Sequence, residues 1–104
     1  MKIYKIIRTT EFLNRLNQVP IQFHNAIDKA IHRLSQNPFL HDSRLKDSFL
    51  LKHEVSKYRI IYYINGNVLE IWTVDLMPRK EDYSNIKKLE KKIKIKYPSA
   101  FRKR

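Results

Sequence analysis

The strongest constraint on the fold of this chain comes from two strand-forming segments that are separated by only two residues. Residues 58 to 64, YRIIYYI, and residues 67 to 74, NVLEIWTV, are rich in β-branched and aromatic side chains. Between them stands Asn65-Gly66, a pair that tolerates the positive φ angles of a tight two-residue turn. The sequence therefore predicts an antiparallel hairpin, closed by a type I′ turn, at the centre of a small sheet.

Two helices are predicted ahead of this hairpin. Thr9 or Thr10 is suited to cap a short first helix, because a hydroxyl accepts a hydrogen bond from an N–H group of the first turn. The second helix is expected to begin near Pro20, whose missing N–H has no partner in a first turn, and to end before Asn37-Pro38. Its apolar side chains recur at the spacing of one buried stripe: Phe23, Ile27, Ala30, Ile31 and Leu34. The two helices together predict a helical hairpin.

The remaining strands and the tail complete the predicted fold. Residues 2 to 8 have the composition of a first strand, and residues 44 to 55 have interrupted strand character. The order β-α-α-β-β-β predicts an α+β fold, in which a small, twisted, mainly antiparallel sheet packs on the helical hairpin. We expect residues 1 to 84 to form this domain and residues 85 to 104 to form a basic amphipathic helix and tail.

Positive charge is concentrated at the C-terminus. Residues 1 to 84 contain 13 Lys and Arg against 9 Asp and Glu, whereas residues 85 to 104 contain 9 against 1. A field of this sign attracts polyanions such as nucleic acid, with binding that weakens as salt is added. The structural alternative is a lysine-rich helix that is simply solvated.

Several kinds of site are excluded or disfavoured by composition. The chain has no cysteine, so disulfides, thiolate catalysis and cysteine-based zinc sites are excluded, and a reducing cytoplasm is the expected location. Its single glycine argues against a glycine-rich phosphate loop, and no segment approaches the roughly 18 apolar residues of a membrane span. The histidines are scattered, so we expect neither a metal nor another cofactor: His24, His32, His41 and His53.

What remains is a set of cations and one phenol near the ends of the last strands. Arg59 alternates with the strand residues expected to face the helices, so it should project from the other face of the sheet. Arg79 follows the last strand, and Tyr83 comes four residues later, so both can fold back over that face if they form a helical turn. Lys52 and His53 occupy opposite faces of the preceding strand, so only one of them readily joins the group.

This combination suits the cleavage of a phosphodiester. Attack by the 2′-hydroxyl of RNA requires a base, cations that hold the developing negative charge, and an acid for the leaving 5′-oxygen. Arginine supplies a bidentate clamp, and a tyrosine handles the proton if nearby cations lower its usual pKa of about 10. Structural alternatives exist for each residue: Arg59 could pair with Glu70 or Asp75, Tyr83 could pack, and Arg79 could be solvated.

Seen as an ordered set, the segments resemble a known family. They are RT-EFL near the N-terminus, L-x-x-NP at 34 to 38, RLKDSF at 44 to 49, VSKYRIIYYI at 55 to 64, NVLEIWTVD at 67 to 75 and R-x-x-x-Y at 79 to 83. This layout is similar to the RelE/ParE superfamily of toxins from bacterial toxin-antitoxin modules. The resemblance covers about residues 1 to 84.

The resemblance implies a fold, partners and roles. In the RelE branch it implies a ribosome-dependent endoribonuclease that cuts mRNA, and a cognate antitoxin. Arg59 matches the arginine that holds the phosphate, Arg79 the one assigned to the leaving group, Tyr83 the tyrosine that orients the 2′-hydroxyl, and Lys52 a base or phosphate ligand. Further basic residues are expected to bind RNA: Lys46, His53, Lys57, Lys80, Lys87, Lys88 and Lys91.

Two departures from the family pattern leave the function open. Glu54 stands where RelE-like members commonly carry a second base, although a glutamate is the base in some relatives, and Pro78 stands where many have histidine. The ParE-like alternative is a DNA gyrase inhibitor without catalysis, and a third is a non-catalytic nucleic-acid-binding relative. The tail would either grip ribosomal RNA or cover the site, and the antitoxin could displace it.

Overall fold

The computed structural model describes residues 3–39 and 44–103 of the 104-residue chain. Lys2, His41 and Arg104, which belong to the predicted strand, histidine set and tail, lie outside the described residues. The strands are β1 Lys5–Arg8, β2 Leu51–Val55, β3 Tyr58–Asn65 and β4 Glu70–Pro78. The helices are α1 Thr10–Gln18, α2 His24–Gln36 and α3 Ile86–Lys96, with short 3₁₀ turns at Ile21–Phe23 and Pro98–Phe101. The predicted α+β class and element order are confirmed.

The four strands form one sheet in the order β1-β4-β3-β2. β1 runs parallel to β4, whereas β4 with β3 and β3 with β2 are antiparallel pairs. The sheet is therefore mainly antiparallel, as predicted. α1 and α2 connect β1, at one edge of the sheet, to β2, at the other edge, and they cover one face of the sheet as they cross it. β1 is the neighbour of β4, with which it runs parallel.

The predicted two-residue turn between β3 and β4 is wrong. The last registered pair joins Asn65 to Glu70, so residues 66 to 69 form a four-residue loop, and the positive φ belongs to Leu69 at 54°. The cause is the buried Asn65 side chain. Its Nδ2 donates hydrogen bonds to the carbonyls of Ala100, at 2.9 Å, and Arg102, while its Oδ1 accepts one from the backbone N–H of Asn67.

α1 has the predicted N-cap, whereas α2 begins later than predicted. Thr9 Oγ1 accepts a hydrogen bond from the backbone N–H of Phe12 at 3.2 Å, which caps α1. Pro20 begins a 3₁₀ turn rather than α2, which starts four residues later at His24. Of the predicted stripe on α2, four residues are buried and Phe23 is partly buried: Ile27, Ala30, Ile31 and Leu34.

Both faces of the sheet are covered. Ile60 and Tyr62 face α1 and α2 in a core that we call the helix-side core, together with Phe12 and Ile27. Ile61, between them in sequence, faces the opposite side, which confirms the predicted alternation. That second face is not open: Ile61, Trp72 and Val74 pack against Ile86, Ile93 and Ala100 of the C-terminal segment, and we call this the tail-side core.

Carboxylates fasten the basic α3 to the rest of the chain. Glu11 of α1 accepts hydrogen bonds from Lys96 Nζ at 2.8 Å and Tyr97 Oη at 2.7 Å, and Lys92 Nζ lies 3.4 Å away. Burial alone would raise the pKa of Glu11, but these donors outweigh it and lower the pKa from 4.5 to about 2. At the other end Arg102 pairs with the buried Glu70. The tail is thus anchored at two points.

None of the helices in the described part of the chain is long and apolar enough to cross a membrane.

Candidate active site

Three of the four predicted catalytic residues converge on Glu54. The β2–β3 register places Glu54 directly opposite Arg59. One carboxylate oxygen, Oε1, lies 3.5 Å from Lys52 Nζ and 3.8 Å from Arg59 Nε, and the other, Oε2, lies 3.0 Å from Arg79 Nη2. The positive charge of Arg79, followed by Lys52 and Arg59, lowers the pKa of Glu54. The residue that departs from the family pattern is therefore the centre of the cluster.

The fourth predicted residue, Tyr83, joins the cluster through its ring. The Arg59 guanidinium carbon lies 5.1 Å from the centroid of the Tyr83 ring, and Lys52 Nζ lies 5.9 Å from it. Arg59 Nη1 also donates a hydrogen bond to the backbone carbonyl of Glu81 at 3.1 Å. Residues 79 to 83 form a turn followed by bends and no helical turn, yet Tyr83 reaches Arg59, and Arg59 holds this segment through Glu81.

Two polar atoms at the centre of this arrangement have unused hydrogen-bonding capacity. Arg59 Nε and Tyr83 Oη are buried and have no hydrogen-bond partner among the described residues. The 3.8 Å separation between Arg59 Nε and Glu54 is an ion pair that is too long for a hydrogen bond. Because a buried unsatisfied polar atom costs on the order of 1–3 kcal/mol, these two atoms are candidates for hydrogen bonds to a bound ligand.

A basic groove of about 420 Å³ leads to Tyr83. Its walls come from the segment before β2, from β2 itself and from the start of α3. The charged and phenolic side chains that line it are Arg44, Lys46, Lys52, Tyr83 and Lys87. Lys87 also donates a hydrogen bond to the carbonyl of Asp47, which ties α3 to this wall. Within α3, Lys87 pairs with Glu90 at 3.3 Å.

A second groove, of about 450 Å³, lies beside Arg79. Its lining includes Tyr58 and Pro78, which pair at the end of β3 and β4 opposite to the connecting loop. Lys57, Arg79 and Lys80 supply its cations, and Arg79 Nη1 donates to the Ser56 carbonyl at 3.2 Å. Pro78 therefore ends β4 and lines a basic groove.

The structure separates the remaining predicted RNA-binding residues from this group. His53 is registered opposite Ile60, so it lies on the helix-side face of β2, away from Arg59. Lys88 and Lys91 are exposed on α3. Lys88 lines a different cavity of about 260 Å³, beside Arg15 and Asp75.

Sequence reasoning missed a supporting network behind Tyr83. Arg15 of α1 donates to Asp75 Oδ1 at 2.9 Å and to Glu81 Oε2 at 2.7 Å. This links α1 and β4 to the segment that carries Arg79 and Tyr83. No short motif connects residues 60 and more positions apart, so the sequence held no signal for it. Glu54 was detectable in principle, because it shares a strand face with Lys52 at spacing i, i+2.

Within residues 3–39 and 44–103, no three histidine or acidic side chains are grouped so that they could hold a metal ion.

Comparison with known proteins decides the family. The family model that describes the ParE toxin of the type II toxin-antitoxin system parDE matches residues 2–83. This chain is a toxin of the RelE/ParE superfamily. The resemblance predicted from the sequence is thus confirmed. No curated protein sequence matches the toxin.

Solved structures agree with this family in fold. The RelBE2 toxin-antitoxin complex from Mycobacterium tuberculosis matches with a TM-score of 0.67 and 20% identity, over 74% of this toxin and 99% of that chain. The archaeal RelE-RelB complex from Pyrococcus horikoshii OT3 matches with a TM-score of 0.67 and 19% identity, over 79% of this toxin and 100% of that chain. A mutant of the Escherichia coli toxin RelE in the free state matches with a TM-score of 0.70 and 12% identity, over 86% of this toxin and 96% of that chain.

Proposed function

We propose that this toxin is a ribosome-dependent endoribonuclease that cleaves mRNA through the message's own 2′-hydroxyl, without a metal ion. The observation that carries the proposal is the convergence of Lys52, Arg59, Arg79 and Tyr83, with Arg59 Nε and Tyr83 Oη buried and unpartnered. A guanidinium N–H matches a phosphate oxygen, and a phenol oxygen matches a ribose hydroxyl.

The proposed reaction assigns one role to each residue. Arg59 and Lys52 hold the scissile phosphate, and Tyr83 orients the 2′-hydroxyl, whose proton passes to water. The 2′-oxygen forms a bond to phosphorus while the bond from phosphorus to the 5′-oxygen breaks, leaving a 2′,3′-cyclic phosphate and a 5′-hydroxyl. Arg79 stabilises the negative charge on the departing 5′-oxygen, which takes a proton from water.

The two basic grooves give the message a path across the site. Lys46 and Lys87 in the first groove and Lys57 and Lys80 in the second are placed to contact phosphates on either side of the cut. Lys88 and Lys91 on the exposed side of α3 are placed to contact ribosomal RNA. This activity belongs in the cytoplasm, where the toxin meets ribosomes.

An antitoxin is the second proposed partner. The RelBE2 toxin-antitoxin complex of M. tuberculosis and the RelE-RelB complex of P. horikoshii each contain a chain that shares the fold of this toxin. We propose that a cognate antitoxin covers the basic surface and prevents RNA from entering. A purified toxin that fails to bind the product of its adjacent gene contradicts this part.

Induction of the toxin in a bacterial host tests the ribonuclease proposal. We expect growth arrest with cleaved messages from the parent, and loss of both from Arg59→Ala combined with Tyr83→Phe, with cleavage reduced by roughly 10² or more. The matched control combines Arg33→Ala, at an exposed position on α2, with Tyr63→Phe. These are the same two changes outside the cluster, and this control should stay toxic. Equal toxicity of the Arg59/Tyr83 variant would show that the site is misassigned.

The matched family model supports a second candidate function, a ParE-like inhibitor of DNA gyrase. This activity needs neither Arg79 nor Tyr83 as a catalyst. It predicts SOS induction and gyrase-linked DNA breaks while messages stay intact. Glu54 and Pro78 support a third candidate, a non-catalytic nucleic-acid-binding relative, for which overexpression would be harmless.

A further inference from the structure

Glu54 is surrounded by the cations that the proposed reaction uses. Its two oxygens are divided among them, with Arg79 at 3.0 Å on one and Lys52 and Arg59 at 3.5 and 3.8 Å on the other. A carboxylate and a phosphodiester each carry one negative charge and each present two oxygens to arginine. The carboxylate therefore has the charge and the oxygen pair of the group that a ribonuclease must bind here.

We propose that the Glu54 carboxylate occupies the position of the scissile phosphate, and that Glu54 is a positioning residue which yields to the substrate and not the proton acceptor of the reaction. The inference rests on the proposed ribonuclease function and extends it. It assigns a role to the acidic residue that stands where RelE-like members commonly carry a second base.

The exposure of Glu54 allows it to leave. Its side chain is 40% exposed, whereas that of Arg59 is 16% exposed. Throughout the described ranges, its carboxylate receives no hydrogen bond from the backbone, and its ion-pair partners are the three cations themselves. Rotation toward solvent therefore breaks no other contact of the carboxylate. Arg59 remains fixed by its hydrogen bond to the Glu81 carbonyl and by the Tyr83 ring.

The same surroundings make Glu54 a poor proton acceptor. Arg79 first, and then Lys52 and Arg59, lower its pKa below the usual range of a glutamate. A general base is most effective when its pKa lies near the working pH, so this shift takes Glu54 further from that condition. Without the carboxylate the three cations would repel one another, and holding them together is the function that this geometry supports.

Glu54→Gln removes the charge and keeps the shape of the side chain, so it separates the two roles. We expect it to bind a fluorescently labelled, 2′-O-methylated oligoribonucleotide about tenfold more tightly than the parent in anisotropy titrations, because the phosphate no longer competes with a carboxylate. The binding difference should shrink as salt is raised. Cleavage of mRNA in a translating extract, at saturating toxin, should fall because the cations lose the group that holds them together, but by less than the roughly 10²-fold that loss of a general base causes.

A matched control removes one negative charge elsewhere. Asp28→Asn on α2 changes net charge equally, at a side chain that is 59% exposed and 4.0 Å from Arg8. It should leave binding of the oligoribonucleotide nearly unchanged, which shows that position and not net charge matters. Glu54→Ala, which also removes the shape, should bind at least as tightly as Glu54→Gln.

Two outcomes overturn the inference. If Glu54→Gln binds no more tightly than Asp28→Asn, the carboxylate does not occupy the phosphate position. If instead cleavage falls by roughly 10² or more at saturation, Glu54 is the base. Failure of the ribonuclease proposal looks different, because the parent itself then leaves mRNA intact, while the binding titrations, which need no catalysis, still decide whether Glu54 occupies an anion site.

Discussion

The two faces of the sheet are covered by helices in different ways. α1 and α2 cover one face through the helix-side core, whose members are apolar side chains and one buried tyrosine, Tyr62. α3 covers the other face through the tail-side core, and polar contacts also fasten the C-terminal segment: Glu11 pairs with Lys92 and Lys96 of α3, Glu90 of α3 accepts a hydrogen bond from Ser48, and Glu70 pairs with Arg102. The first face is held by burial, which salt and pH change little, whereas the second adds charges that both can change.

This difference bears on function because the tail-side face ends at the proposed active site. Ile86 of the tail-side core and Lys87 beside it line the groove that leads to Tyr83. A helix held partly by ion pairs therefore forms one wall of the proposed RNA path. The helix-side core contributes none of the four proposed catalytic side chains, and its role is to fix the sheet that carries them.

Loss of volume in the helix-side core should have the largest effect on stability. Ile27 is completely buried between α2 and the sheet. Ile27→Ala should lower the free energy of unfolding by about 2–5 kcal/mol, because it removes buried methyl groups and leaves a cavity. Urea unfolding followed by circular dichroism measures the change. A loss of less than about 1 kcal/mol would contradict the account of this face.

The same substitution in the tail-side core should have a smaller, local effect. Ile93 is also completely buried, but we expect α3 to separate from the sheet without unfolding it. Ile93→Ala should remove amide protection in Ile86–Lys96 while β3 and β4 stay protected in hydrogen-exchange mass spectrometry. Equal loss of protection in β3 would show that the two faces unfold as one unit.

Acid should loosen the tail-side face through Glu11. Its pKa is lowered from 4.5 to about 2 in the folded toxin, so its stabilisation is fully present above pH 4.5 and is lost as pH falls toward 2. After allowance for solvent screening we expect about 2 kcal/mol. Glu11→Gln should destabilise at pH 6 and have a much smaller effect near pH 2.5, about a quarter as large, as measured by urea unfolding. An equal effect at both pH values would contradict this role.

Much of the fold could be predicted because local signals and packing agree. The alternation of Ile60 and Tyr62 with Ile61 assigns their faces correctly, and the stripe from Ile27 to Leu34 assigns the buried side of α2. The turn after Asn65 could not be predicted, because its conformation depends on carbonyls of Ala100 and Arg102, far away in sequence. A local propensity was overridden by a tertiary contact.

The site was predictable to a smaller extent. The strand face of Arg59 and its closeness to Tyr83 follow from strand alternation and chain order, and the structure brings both together with Lys52. Glu54 departs from the family pattern, although its spacing from Lys52 places it on the same face. That it lies between Arg59 and Arg79 depends on strand register and on the path of residues 79 to 83, which the sequence alone does not fix.

Chemical analysis of the cut ends of messages tests the central claim most directly. Messages are isolated after induction of the parent toxin and of the variant that combines Arg59→Ala with Tyr83→Phe. Attack by the 2′-hydroxyl predicts 5′-hydroxyl ends and 2′,3′-cyclic phosphate or 3′-phosphate ends in the parent sample, and neither in the variant. Messages with 5′-phosphate ends, or intact messages accompanied by gyrase-linked DNA breaks, would contradict the claim.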